Sequence, residues 1–332
     1  MKQISFIWLL ALLFIISYAQ AQAQQTNPAS FLEIGAGARA TSVGGAFVAL
    51  ADDVSATYWN PAGLAQLTGT TISIMNRLSA FDTNYANTNL VFPISNLGML
   101  GLNFTYYGVG DIIAYDDEGK EAGSLSDIET AFTISYAYGL GRFLVGGNLK
   151  YIYKRLALND MSPTILPKIG GGGTGVGVDA ALLYKLTENF SVGAILHDEF
   201  TITYSDQHKE TVPMSICAGS AYRLNFGDKH ALAFMLDFNQ ARQHPLKLHL
   251  GSELILFKLI SVRAGINDLY VESRNSNLKY IDFLKHNIKP TMGVGFKWAV
   301  KEGGFLTMDY ALSIQRLGKL SFFTLGLQVL QL

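Results

Sequence analysis

The feature that most constrains this chain is an alternation of apolar and polar side chains from Thr70 to the C-terminus. About fourteen segments of eight or more residues carry it, separated by Gly, Asn, Asp or Pro residues. A period of two is typical of β-strands with one apolar and one polar face. The predicted strands are 70–80, 84–94, 98–110, 126–139, 142–156, 174–187, 189–200, 212–225, 229–241, 247–258, 260–270, 290–301, 303–315 and 319–331.

Several predicted strands place charged or amide side chains on the face opposite large apolar residues. Leu236 and Phe238, for example, alternate with Asp237 and Asn239. We interpret the polar face as the lumen of a barrel, where opposite charges pair across the interior. The alternative is that these charges guide an amphipathic carboxylate. The predicted lumen-facing residues are Lys150, Lys154, Asp179, Asp237, Asn239, Arg263, Asn267, Lys297 and Asp309.

The apolar faces indicate a membrane environment. Charged residues make up only 15% of the chain and hydrophobic residues 49%, which is unusual for a water-exposed surface. The predicted strands are also near the roughly 9–11 residues that a tilted spanning strand needs. In lipid, a closed barrel pairs all backbone polar groups. The predicted fold class is therefore all-β: a transmembrane antiparallel β-barrel of about fourteen strands, formed by residues 70–332. A soluble two-sheet sandwich would need a more charged outer face.

The links between the predicted strands fall into a tight set and a long set. Outer-membrane barrels have short periplasmic turns and longer external loops. We therefore expect the tight links to be periplasmic and the long links to be external. The tight links include 139–141, 187–189, 227–228 and 302–304, and the long links include 111–125, 157–173, 201–211 and 271–289.

The N-terminal sequence is typical of an export signal. Lys2 precedes an apolar run from Ile4 to Tyr18, and A-x-A cleavage sites end at Ala21 and Ala23. An uncleaved anchor helix is the alternative. We expect residues 1–23 to be a cleaved signal peptide and the mature protein to reside in the outer membrane of a Gram-negative cell.

Residues 24–69 follow neither the helix nor the strand period, and we expect them to form a plug of short helices inside the barrel. Asn60 followed by Pro61 is typical of a helix start, with Asn60 as the N-cap. Gly44 and Gly45 indicate a close backbone approach or a positive φ.

The plug carries four charged residues that need a role in a closed interior. Asp52 and Asp53 precede a second predicted helix start and are candidate caps. Together with Glu33 and Arg39 they are predicted to form ion pairs that hold the plug in place. The functional alternative is a polar latch at the gate.

The stretch GARATSVGGAFVALADDVSATYWNPAGLA, residues 37–65, resembles the N-terminal region of the PorV/PorQ family. That family belongs with FadL-like outer-membrane proteins and is common in Bacteroidetes-type bacteria. The Gly-Ala-Arg, Gly-Gly-Ala-Phe, Ala-Asp-Asp and Asn-Pro-Ala-Gly-Leu elements occur in the same order. The resemblance implies a fourteen-stranded barrel with an N-terminal hatch. The resemblance implies Asn60, Pro61 and Ala62 as hatch residues, and the adjacent Gly63 is a further candidate.

Two functions follow from this resemblance. FadL-like members pass small hydrophobic molecules, such as fatty acids, passively across the outer membrane. PorV/PorQ-like members serve the type IX secretion system by shuttling or anchoring exported proteins. A continuous apolar cleft reaching Asn60 would favour transport, whereas a charge-filled lumen would favour secretion. The expected partners are outer-membrane lipids, a hydrophobic ligand or secretion-system proteins.

Other motifs give little support for catalysis, metal binding or cofactor binding. The glycine run at 170–175 precedes a strand rather than a helix, so an external loop is favoured over a dinucleotide site. Residues 116–118 are acidic but lack EF-hand spacing, and His244 and His249 lie outside any HExxH pattern. A net charge of -1 gives no basis for nucleic-acid binding. We expect no enzyme activity and no cofactor.

Overall fold

Fourteen long antiparallel strands form one closed barrel in the computed structural model. The structure describes residues 28–78, 83–115, 118–159, 171–204, 209–242, 244–270, 288–300, 303–315 and 318–329. Two short additional strands, β8 and β9, form a hairpin beside the barrel. The strands are β1 Thr70–Leu78, β2 Thr83–Pro93, β3 Met99–Tyr115, β4 Glu121–Leu140, β5 Phe143–Asn159, β6 Gly171–Lys185, β7 Phe190–His197, β8 Phe200–Thr203, β9 Lys209–Val212, β10 Ser215–Phe226, β11 His230–Ala241, β12 Lys247–Leu256, β13 Ile260–Tyr270, β14 Lys289–Ala299, β15 Phe305–Gln315 and β16 Gly318–Val329.

The barrel closes because its first and last strands pair. The register runs from Thr70 opposite Val329 to Leu78 opposite Ser321. The remaining barrel strands pair with the strands that precede and follow them in sequence. Because the β8–β9 hairpin lies between β7 and β10 in sequence, β7 pairs with β10, and the hairpin attaches to β6. Closure leaves no free edge among the fourteen barrel strands, as a sheet in lipid requires.

The predicted fold class is confirmed, and all fourteen predicted segments are strands. Two expected links differ. Within 111–125, β3 and β4 remain paired as far as Tyr115 and Glu121, so no long loop forms there. The glycine at position 110 lies at a shift of register between Val109 and Ile112 and does not end the strand. The link at 201–211 contains the β8–β9 hairpin. Most of the links at 157–173 and 271–289 lies outside the described residues.

The two faces of the barrel differ in polarity as the alternation predicts. Along β1, exposed Ile72 and Ile74 alternate with buried Ser73 and Met75. The same outward apolar positions recur on the other barrel strands and form an apolar outer surface of the kind that membrane barrels present to lipid. Polar side chains are therefore concentrated on the inner face.

Residues 28–69, which we call the plug, pack against this inner face. They contain two 3₁₀ helices, Ser30–Glu33 and Pro61–Gln66, and two short α-helices, Ala38–Ser42 and Ala56–Trp59. No helix among the described residues is long and apolar enough to cross a membrane.

The barrel wall is shaped to receive the plug backbone. At five wall glycines, an added Cβ would come within 2.6 Å of a plug atom. Any larger side chain there would push the plug away from the wall, since a packed interior has no room to absorb it. These glycines are Gly146, Gly193, Gly251, Gly265 and Gly293.

Candidate functional site

Asn60 joins the plug to the barrel through both ends of its amide. Its Oδ1 accepts a hydrogen bond from the Ala62 N–H at 3.0 Å and so caps the helix that begins at Pro61. Its Nδ2 donates to the Val48 carbonyl at 2.8 Å and to the Leu182 carbonyl of β6 at 3.2 Å. Because Asn60 is fully buried, no water can replace these partners.

The glycines of the plug lie at its tightest contacts. Gly44 has a φ of +71°, and a Cβ there would lie 2.5 Å from the Ile266 carbonyl oxygen of β13. Gly45 also has a positive φ, and Gly63 would place a Cβ 2.1 Å from the Ala51 oxygen. These positions admit only glycine at the present backbone spacing.

Arg39 is the centre of an ionic network between the plug and the barrel. Its guanidinium contacts Asp52 at 2.6 Å and Asp53 at 3.0 Å within the plug. It also forms a two-point contact with Glu253 of β12, at 2.9 and 2.7 Å. The predicted plug charges Arg39, Asp52 and Asp53 are thus brought together.

The network continues along the barrel wall. Arg263 contacts Glu253 at 2.7 Å and Asp309 at 2.6 Å. Arg223 contacts the second oxygen of Asp52 at 2.9 Å. Positive and negative groups therefore alternate from the plug to the four wall strands β10, β12, β13 and β15, and each charge of this network has a partner of opposite sign.

The pKa values of Arg39 and Asp52 are shifted in the directions that this pairing requires. Burial by itself would lower the pKa of Arg39, but Asp52 and Glu253 hold it well above its usual range. Burial also opposes ionisation of Asp52, yet attraction to Arg39 and Arg223 lowers its pKa below the ordinary value of 3.8. Both groups are therefore charged at neutral pH.

A second polar cluster surrounds Asp179 of β6. Its carboxylate accepts hydrogen bonds from Lys150 at 2.7 Å, from His197 Nδ1 at 2.9 Å and from Asn148 at 2.8 Å. Asn148 also donates to the Thr57 carbonyl of the plug at 3.1 Å.

Three further predicted lumen residues lie apart from one another. Asp237 is fully buried and accepts the Val48 N–H at 2.8 Å, while its Oδ1 has no partner among the described residues. Lys154 contacts Glu129 at 2.6 Å. The Lys297 ammonium lies 4.1 Å from the centre of the Phe305 ring, at the rim of the barrel.

The plug separates two cavities. The loop-side cavity, of about 180 Å³, lies between the plug and the strand ends that the long links join, and Asn239 and Asn267 line it. The turn-side cavity, of about 290 Å³, lies between the plug and the tight turns. Its walls carry the ionic network and Lys297, so it is strongly charged.

Aromatic residues of the plug form the floor of the loop-side cavity. Trp59 donates its indole N–H to the Ala36 carbonyl at 2.7 Å and meets Tyr58 edge to face at 4.9 Å. The Tyr58 hydroxyl donates to the Leu32 carbonyl, and burial raises the pKa of this hydroxyl well above its usual range. The floor is therefore uncharged and is held by hydrogen bonds within the plug.

Sequence reasoning missed the barrel partners of the plug. Glu253 and Arg223 were visible only as isolated charges in apolar strands, and their contacts depend on the barrel register. The same is true of Trp59, which the sequence placed in the plug without a role. Within the described residues, no group of His, Cys, Asp or Glu is suited to hold a metal ion.

Comparison with known proteins identifies the class of fold. A model of the uncharacterised protein family UPF0164 matches residues 16–165. A search of curated proteins finds no significant match. Among solved structures, the toluene transporter TodX of Pseudomonas putida superposes with a TM-score of 0.59 at 12% identity, covering 88% of this chain and 96% of TodX.

Two further structures agree. The toluene transporter TbuX of Ralstonia pickettii gives a TM-score of 0.53 at 12% identity, covering 90% of this chain and 99% of TbuX. A Pseudomonas aeruginosa FadL homologue gives 0.51 at 11% identity, covering 94% and 99%. At these identities the similarity defines the fold. This chain therefore has the same barrel fold as these three structures.

Proposed function

We propose that this protein is an outer-membrane channel through which small hydrophobic molecules pass without energy input. The observation that carries the proposal is the loop-side cavity, which reaches from the long-link end of the barrel to Tyr58 and Trp59 of the plug. A molecule entering from that end would meet the plug before it could cross. In this proposal the long links are external and the tight turns are periplasmic.

The walls of the cavity include apolar side chains that can contact an apolar ligand. Leu32 and Val48 of the plug line it together with Ile195 of β7 and Phe200 of β8. Moving apolar surface from water to such a wall is favourable by about 25 cal/mol per Å². Capture from dilute solution therefore needs no energy source, and release depends on a shift of the plug.

The structural relatives support a channel as the class of function. TodX and TbuX are described as toluene transporters, and CymD, with a TM-score of 0.56 at 14% identity, as a monoaromatic hydrocarbon channel. For this chain we propose the same general role. We also propose that residues 1–23 are removed on export and that residues 24–69 act as the hatch, with Asn60 at its hinge.

A second candidate function is a PorV/PorQ-like role in type IX secretion. It is favoured by the ionic network, which ties the plug to the wall through Glu253 and Arg223 and fills the turn side of the lumen with charge. A sealed barrel of this kind could anchor an exported protein without passing any small molecule.

The two functions are separated by identifying what the protein binds. Tagged protein would be extracted gently from native membranes, and everything that co-purifies would be analysed by mass spectrometry. A bound apolar small molecule without a stoichiometric protein supports the channel. A stoichiometric exported protein without a small molecule refutes it in favour of the secretion role.

Occupancy of the cavity can be checked in the same preparation. Trp59 lines the cavity, whereas Trp298 lies on the outer face of β14. In a Trp298→Phe variant, a ligand in the cavity should change the tryptophan emission. A Trp59→Phe variant that retains Trp298 is the matched control and should not respond. An equal response of both variants would show that the ligand partitions into the detergent.

A further inference from the structure

We propose that the loop-side cavity selects neutral, single-ring molecules that carry a hydroxyl group, and that His197 receives the hydroxyl. The inference rests on the proposed channel function, because it names the class of molecule that the channel takes. It is carried by the geometry of His197, the size of the cavity and the charges that line it.

His197 offers one ring nitrogen to the cavity. Its Nδ1 lies 2.9 Å from Asp179 Oδ1, and an ionised carboxylate accepts hydrogen bonds only. Nδ1 therefore carries a proton, and Nε2 is the acceptor whenever the ring is neutral. Nε2 has no partner among the described residues, while His197 lines the cavity with 30% of its side chain exposed.

The imidazole is held in this orientation from behind. Asp179 is only 1% exposed and is itself fixed by Lys150 at 2.7 Å and Asn148 at 2.8 Å. A carboxylate behind a histidine fixes the tautomer and the ring plane. A hydroxyl suits such a group because it can donate to neutral Nε2 and accept from a protonated ring.

The size of the cavity favours one ring. Its volume of about 180 Å³ is close to the roughly 150 Å³ of an engineered apolar cavity that binds benzene. It is smaller than the roughly 300–1,000 Å³ of sites for larger ligands. Val48 and Ile195 belong to one buried apolar cluster beside it, and Phe200 lines the same space, so a ring would meet apolar side chains.

The charges around the cavity disfavour an anion. Four carboxylates and two ammonium groups line it. Both ammonium groups are already paired, Lys150 with Asp179 at 2.7 Å and Lys247 with Glu33 at 3.3 Å. Asp268 is also paired, with Lys289 at 2.5 Å. Among the described residues that line the cavity, a carboxylate ligand would therefore meet four carboxylates and no unpaired ammonium group. The four carboxylates belong to Glu33, Asp179, Asp198 and Asp268.

The test is equilibrium dialysis of radiolabelled phenol, toluene and benzoate against purified full-length protein in detergent, with protein-free micelles as the blank. The key variant is His197→Asn, which removes Nε2 but retains an amide N–H for Asp179. His197→Phe removes Nε2 while retaining a ring of similar size. His230→Asn, at the tight-turn end of β11, is the matched control.

We expect both His197 variants to lower the affinity for phenol by about 3- to 10-fold, as the loss of one hydrogen bond predicts. Their affinity for toluene should change less than about twofold, because toluene makes no such bond. The His230 control should bind all compounds as the native protein does, and benzoate should bind more weakly than phenol.

Toluene separates failure of this inference from failure of the proposed function. Equal losses of phenol and toluene affinity in the His197 variants would refute a hydroxyl site at this residue, as would benzoate binding as tight as that of phenol. In both cases toluene binding would leave the channel proposal standing. If the native protein bound none of the three compounds, the inference would be overturned, and native co-purification would then decide on the channel.

Discussion

Replacing Arg39 with methionine should weaken the attachment of the plug to the barrel wall while the barrel stays folded. Methionine retains much of the length of the arginine side chain but loses every contact of the guanidinium with Asp52, Asp53 and Glu253. Glu253 is only 1% exposed, so it would then rely on Arg263 alone, which contacts it at 2.7 Å.

The expected loss of free energy in Arg39→Met depends on which charged groups still have a partner after the substitution. Breaking a buried ion pair by removing one partner costs about 3–5 kcal/mol. Arg39 is 16% exposed and Glu253 keeps Arg263, so we expect a cost at or just below the lower limit of that range. We expect the free energy of plug opening to fall by about 2–3 kcal/mol, which corresponds to a rise of about 30- to 150-fold in the opening equilibrium.

Hydrogen exchange measured by mass spectrometry on the purified protein tests this prediction. Amides in plug helices should exchange faster by this factor in Arg39→Met, while those of the barrel strands should not change. The control is Arg242→Met, which removes an exposed contact with Glu199 at 3.3 Å and should have little effect. Unchanged plug exchange in Arg39→Met would refute the reasoning and would show that packing alone holds the plug.

Three further predictions concern the plug. Gly146→Ala would place a Cβ 2.4 Å from the Ala62 nitrogen and should loosen the plug by about 1–3 kcal/mol in the same exchange assay, whereas Gly110→Ala, with open space around it, should be neutral. Asn60→Ala should weaken the plug by about 1–2 kcal/mol through the lost cap. Asn60→Ser retains an uncharged capping oxygen and should lose less than Asn60→Ala; equal losses would contradict a capping role. The pKa of Asp52 is lower in the folded state than its ordinary value of 3.8. Ionised Asp52 therefore stabilises the plug fully above pH 3.8, and this stabilisation is lost as the pH falls through the folded-state pKa. Plug exchange that stays unchanged during such acidification would count against the ionic network.

The sequence by itself determined the barrel. Alternation with a period of two survives in each strand independently of what the strand pairs with, because successive side chains of any strand point to opposite faces. The fourteen predicted segments are therefore strands, and their low charge indicates that one face meets lipid. Local chemistry also predicted the helix start at Asn60 and Pro61, since a cap depends only on neighbouring residues.

Only the tertiary structure decided the partners. Arg39 and Glu253 are 214 positions apart, and nothing local to either residue indicates the other. Their contact depends on closure of the barrel and on the register of β12, and a slip of one residue would turn Glu253 outward to the lipid. The environment of His197 could not be predicted from the sequence for the same reason. The register of β6 and β7 places Asp179 directly opposite His197. Pairing across a closed barrel is a long-range property, whereas the alternation that builds each strand is local.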